Sequence, residues 1–177
     1  MNKVKKSHIG ALLIVLALLF SALWYTAPRT AEDLFSDFRW GQVVRVDGCY
    51  DRHEENDHPA KAPLCIQGVS ESIPIDTETG QALLALLRDV EYRRSLGNLL
   101  PVKGRSYGFL QPGDLEVETT FYVEGTPGYL RVCFYYDRMI LSTGESEEYT
   151  CSATGQEILA QKMLSLLQPH ATEAAIN

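Results

Sequence analysis

The longest uniform stretch of the chain is apolar: residues 9–27, IGALLIVLALLFSALWYTA, run for nineteen positions without a charge. At about 1.5 Å per residue a helix of this length comes close to the roughly 30 Å hydrocarbon core of a bilayer. Trp24 and Tyr25 stand where such a span meets the headgroups, and Lys3, Lys5 and Lys6 precede it. The positive-inside rule then predicts a basic cytoplasmic segment over 1–8, a transmembrane segment over 9–27, and everything beyond it on the extracytoplasmic side of the cell membrane. A cleaved signal peptide needs small residues three before and one before the cut. Cutting after Ala22 puts Phe20 at the outer position, and cutting after Ala27 puts Tyr25 there with Pro28 next, so an uncleaved, single-pass signal anchor is expected. With no cysteine before Cys49, a lipid-modified amino-terminal cysteine is not expected either.

Past the span the period changes several times. Residues 28–39 read as a juxtamembrane linker with one helical turn opened by Thr30 and Asp33. Over 42–50, Val44, Val46 and Tyr50 alternate with Arg45, Asp47 and Cys49, the mark of a half-buried strand. Further strand is predicted over 63–76, broken at Gly68. Leu83, Leu86, Leu87 and Val90 then fall at helical spacing, predicting an amphipathic helix to about Ser95. The strictest alternation is Leu115, Val117, Thr119, Phe121 and Val123 against Glu116, Glu118, Thr120, Tyr122 and Glu124. The turn residues 125–128 and a return strand over 129–141 complete an antiparallel hairpin. A short strand at 147–151 leads to a last helix, opened by a Thr154 to Glu157 capping box and striped by Leu159, Met163, Leu166 and Leu167. Residues 169–177 read as a frayed tail.

These elements predict an α+β architecture: an amino-terminal transmembrane helix, then one small domain over 40–168 with an antiparallel sheet of about five strands and two helices packed on one face. Residues 79–85 and 154–160, TGQALLA and TGQEILA, raise the idea of a duplicated unit. Fourteen positions separate Cys65 from Thr79 but only three separate Cys151 from Thr154, so shared helix-start chemistry is the simpler account.

Charge sharpens this picture. Four of the 16 basic residues, Lys3, Lys5, Lys6 and Arg29, precede Glu32, leaving 12 against all 23 acidic ones, a net of −11 from Glu32 onward. A field of that sign disfavours nucleic acid and favours cations or basic proteins. The four cysteines, Cys49, Cys65, Cys133 and Cys151, all lie beyond the span, which in an oxidising compartment predicts two disulfides, most simply 49 with 65 and 133 with 151.

Candidate chemistry is sparse. The loop between Cys49 and Cys65 carries His53, Asp57 and His58, a metal-ligand set without a recognised zinc or calcium spacing. No GxSxG elbow or phosphate-cradling glycine loop occurs, and Glu147 and Glu148, adjacent in a strand, would face opposite ways. No catalytic residue and no cofactor are therefore expected. Tyr122, Tyr135, Arg131, Glu116 and Glu118 fall on the polar side of the hairpin, with Tyr122 expected opposite Tyr135, and suit a protein partner. The expected function is a membrane-tethered, non-catalytic extracytoplasmic binding domain on a bacterial membrane. Its alternatives are an inhibitor or immunity protein against a basic toxin or wall hydrolase, and a metal-binding sensor.

Overall fold

The computed structural model describes residues 2–54, 64–99, 115–125, 128–135, 138–143, 147–153 and 155–176. The apolar stretch lies in helix α1, Asn2–Tyr25, and its segment from His8 to Tyr25 is long and apolar enough to cross a membrane, with none of it buried against the rest of the chain. One turn later comes helix α2, Ala31–Leu34. Its start is a full capping box: Thr30 Oγ1 accepts from the Asp33 N–H at 3.1 Å, and Asp33 Oδ2 accepts from the Thr30 N–H at 3.3 Å. The stretch expected as a linker thus joins the domain, because Ala31, Leu34 and Phe35 are buried in its core.

The domain is a mostly antiparallel α+β structure, as the alternating pattern predicts, but among the described residues its sheet has nine strands rather than five. In chain order these are β1 Val43–Glu54, β2 Leu64–Ser70, β3 Ile73–Pro74, β4 Tyr92–Arg94, β5 Leu115–Val123, β6 Tyr129–Tyr135, β7 Arg138–Thr143, β8 Glu147–Ala153 and β9 Ala171–Ile176. They lie in the spatial order β4-β8-β7-β6-β5-β1-β2-β9, with β3 pairing on β1. Helices α3, Glu78–Arg88, and α4, Gln156–Leu167, pack on one face. Leu83, Leu84 and Leu87 of α3 and Leu159, Met163, Leu164 and Leu167 of α4 meet Val46, Tyr50, Val117, Phe121, Leu130, Val132, Phe134, Met139 and Leu141 of the sheet. Each large side chain so buried stabilises the fold by about 1.5–3 kcal/mol before entropy is counted.

Several elements differ from the expected ones for local reasons. A register shift between Val43 and Arg45, where β1 meets β5, sets Val43 and Val46 both inward and leaves Val44 exposed. Gly68 does not break β2: it continues the strand opposite Tyr50, whose ring occupies the space a side chain at 68 would take. Helix α3 stops at Arg88 instead of reaching Ser95, because Tyr92 turns into the core and donates its hydroxyl to the Leu87 carbonyl at 2.7 Å. The long return strand expected over 129–141 is two strands, β6 and β7, paired with Tyr135 opposite Arg138. The expected frayed tail forms edge strand β9, in register with β2 from Cys65 opposite Ile176 to Ser70 opposite Ala171.

The two TGQ segments play unlike parts. Thr77, two residues before Thr79, caps α3, accepting from the Gly80 N–H at 3.1 Å, whereas α4 is capped by Gly155 at a left-handed φ of 68°. Thr154, the expected cap, lies outside the described residues, and among these no side chain caps α4.

Candidate functional site

The helices cover one face of the sheet. The other face carries the polar positions of β1, β5 and β6, and strand register sets them in rows. Asp47 is opposite Thr120, which is opposite Arg131; Cys49 is opposite Glu118, which is opposite Cys133; Asp51 is opposite Glu116. The sequence pattern already put Glu116, Glu118, Tyr122, Arg131 and Tyr135 on one side of a hairpin. It missed the contribution of β1, because the pairing of β1 with β5 joins segments about seventy residues apart. The signal was present in the alternation of Arg45, Asp47, Cys49 and Asp51 along a strand.

At the centre of this face Arg131 Nε lies 3.5 Å from Glu118 Oε1 and donates to Cys133 Sγ at 3.3 Å, while Cys133 donates to Glu118 Oε2 at 3.3 Å. At one end the Arg45 guanidinium lies 4.4 Å from the centre of the Tyr122 ring, and Tyr122 meets Tyr129 at 6.4 Å with the rings tilted by 51°. Tyr122 pairs with Tyr129 and not with the expected Tyr135, because the turn after β5 is short enough to set residues 122 and 129 directly opposite. Tyr135 stands at the other end of the face.

Two depressions share Cys49 and Glu118. One, of about 80 Å³, is bounded by Asp51, Glu116, Cys133 and Tyr135; the other, a shallow groove of about 410 Å³, by Asp47, Val69, Thr120 and Tyr122. Four carboxylates, at Asp47, Asp51, Glu116 and Glu118, line them against the two guanidiniums of Arg45 and Arg131. Burial, followed by the charge of Glu118, pushes both the Cys133 and the Cys49 thiols up to about 11. Neither is a thiolate near neutral pH.

The expected disulfides are not formed: Cys49, Cys65 and Cys133 carry free thiols. Register explains why. Cys49 pairs with Val69 and Cys65 with His53, four residues apart along the same ladder, or about 13 Å, whereas a disulfide needs Cα atoms within about 7 Å. Cys133 is on β6 and Cys151 on β8, with β7 between them, a separation of about 9–10 Å. Of the expected metal set, His53 is buried on β1 opposite Cys65, while Asp57 and His58 lie outside the described residues. Among the described residues no three His, Cys, Asp or Glu side chains group as metal ligands.

No protein-family model, no curated protein and no solved structure matches this chain.

Proposed function

We propose that the chain is a membrane-tethered, non-catalytic domain, held outside the cell membrane with its amino terminus in the cytoplasm, whose sheet face opposite α3 and α4 binds a basic protein. The observation that carries this reading is the row of Asp47, Asp51, Glu116 and Glu118 across two adjoining depressions, flanked by the Arg45, Tyr122 and Tyr129 cluster. Acidic side chains steer a cationic partner, and tyrosines supply contact area at small entropic cost. The same chemistry supports an inhibitor or immunity role toward a basic toxin or wall hydrolase, which is the form of partner this charge favours. The metal-sensor reading has only His53 among the described residues and is not carried further.

The test is a photoreactive residue placed in the full chain in cells at Thr120 or Arg131 on the open face, and at Ser165 on the exposed side of α4. Adducts with a basic protein from 120 and 131, weakened when Asp47→Asn and Glu118→Gln are combined, are expected. Adducts from Ser165 alone, or a partner captured equally by the charge-depleted variant, would sink the reading.

A further inference from the structure

Helix α1 does not run into a free tether. Four residues past its end, Arg29 pairs with Tyr92 of β4: the Arg29 N–H donates to the Tyr92 carbonyl at 2.9 Å, and the Tyr92 N–H donates back to the Arg29 carbonyl at 2.8 Å. The edge strand of the sheet is thereby fixed beside the helix exit. The Arg29 guanidinium lies 4.7 Å from the centre of the Trp24 ring, and that of Arg94 lies 5.5 Å from the centre of the Tyr25 ring.

Depth follows from these contacts. The headgroup layer on each side of the hydrocarbon core is roughly 5–8 Å thick. If the apolar part of α1 spans the core, Trp24 and Tyr25 sit at its rim, and guanidiniums within 4.7 and 5.5 Å of their rings fall inside the headgroup layer. Glu32 of α2 is engaged by Arg88 of α3. A guanidinium is a planar fork of donors suited to phosphate oxygens, and each basic group near an anionic surface adds attraction.

We propose that Arg29 and Arg94, held beside Trp24 and Tyr25 at the exit of α1, form a docking surface for the headgroup phosphates of anionic lipid in the membrane that α1 crosses. The proposal rests on α1 being a membrane span. It gives edge strand β4 a role besides sheet pairing: through Arg94 it seats the domain on the bilayer.

The full chain is reconstituted in two kinds of nanodisc with matched acyl chains, one of phosphatidylglycerol and one of digalactosyldiacylglycerol, which has no phosphate. The rate of arginine modification by neutral phenylglyoxal is read residue by residue by mass spectrometry, with amide exchange of residues 9–23 measured in parallel. Modification of Arg29 and Arg94 is expected to be about fivefold slower in the phosphatidylglycerol discs, while exposed Arg131 reacts equally in both. Equal rates at both positions, with residues 9–23 protected, overturn the docking surface and leave the span standing. Free exchange over 9–23 in both discs overturns the span and the docking surface together.

Discussion

Replacing Gly68 by alanine tests the packing that joins β1, β2 and β9. Gly68 is not among the glycines at positive φ, so its backbone accepts alanine without strain. In an open strand position the exchange would stabilise by about 0.5–1 kcal/mol, through reduced freedom of the unfolded chain. Here the added methyl would collide with Cζ, Cε1 and Oη of Tyr50. That ring is only 2% exposed, and its hydroxyl donates to Glu173 Oε1 at 2.6 Å, so it cannot swing aside without leaving the core and releasing β9. Forcing a methyl into a filled site costs about 1–3 kcal/mol. The steric cost exceeds the entropic gain, and a net loss of about 1–2 kcal/mol is expected for Gly68→Ala, equivalent to a fall in Tm of roughly 3–8 °C for a domain of this size. The assay is thermal unfolding of the detergent-solubilised full chain followed by circular dichroism, run as a double-mutant cycle with Tyr50→Leu. Without the outer half of the ring, Gly68→Ala should become neutral or stabilising, a coupling of at least about 1 kcal/mol. A rise in Tm for Gly68→Ala in the parent chain, or additivity of the two changes, would refute the reasoning.

Two further outcomes follow from ionisable groups. The Tyr50 hydroxyl, then the Gln168 amide and the Arg52 guanidinium, hold the Glu173 carboxyl below its usual 4.5. A depressed carboxyl contributes stability above its unfolded pKa and loses it as pH falls through the folded one. Protection of the β9 amides against exchange, corrected for the intrinsic rate, should therefore fall away only below about pH 4.5, with the core amides of α4 unaffected; parallel loss in β9 and α4 would show that Glu173 is not the latch. Burial raises Cys49 and Cys133 from 9.0 to about 11, so the folded state favours the thiols, and the stability they add is present below pH 9.0 and lost as pH rises toward 11. At pH 8 alkylation of both should be at least tenfold slower in the native protein than in denaturant, and an intact mass lower by two disulfides' worth of hydrogen would contradict the free thiols.

How far the pattern of residues reached is clearest strand by strand. The Leu115 to Val123 alternation marked β5 at its observed ends, since a single strand with one face on the core writes its geometry directly into period two. Thr30 and Asp33 announced the start of α2 for a similar reason: a capping box closes over four residues and needs nothing from the rest of the fold. By contrast, Ala171 to Ile176 has no alternation to read, and it becomes a strand only because β2 offers an unpaired edge and Tyr50 a hydroxyl for Glu173. Residues 92–94 follow a helix without a clear break, and their strand exists because Arg29 and β8 flank them. The acidic half of the open face was invisible for the same reason, since Asp47 and Asp51 join Glu116 and Glu118 only through the pairing of β1 with β5.

What the order of residues determined by itself is therefore whatever closes over a few positions: the apolar helix, the capped turn beside it, the hairpin, the two amphipathic helices and the sign of the charge. Tertiary structure alone decided which strands neighbour one another. That choice left Cys49, Cys65 and Cys133 as thiols, gathered the carboxylates on one face, and brought the edge of the sheet to the exit of α1. The physical reason is that cross-strand contacts form between segments tens of residues apart, and local periodicity records which face a residue takes but not the strand that will lie beside it.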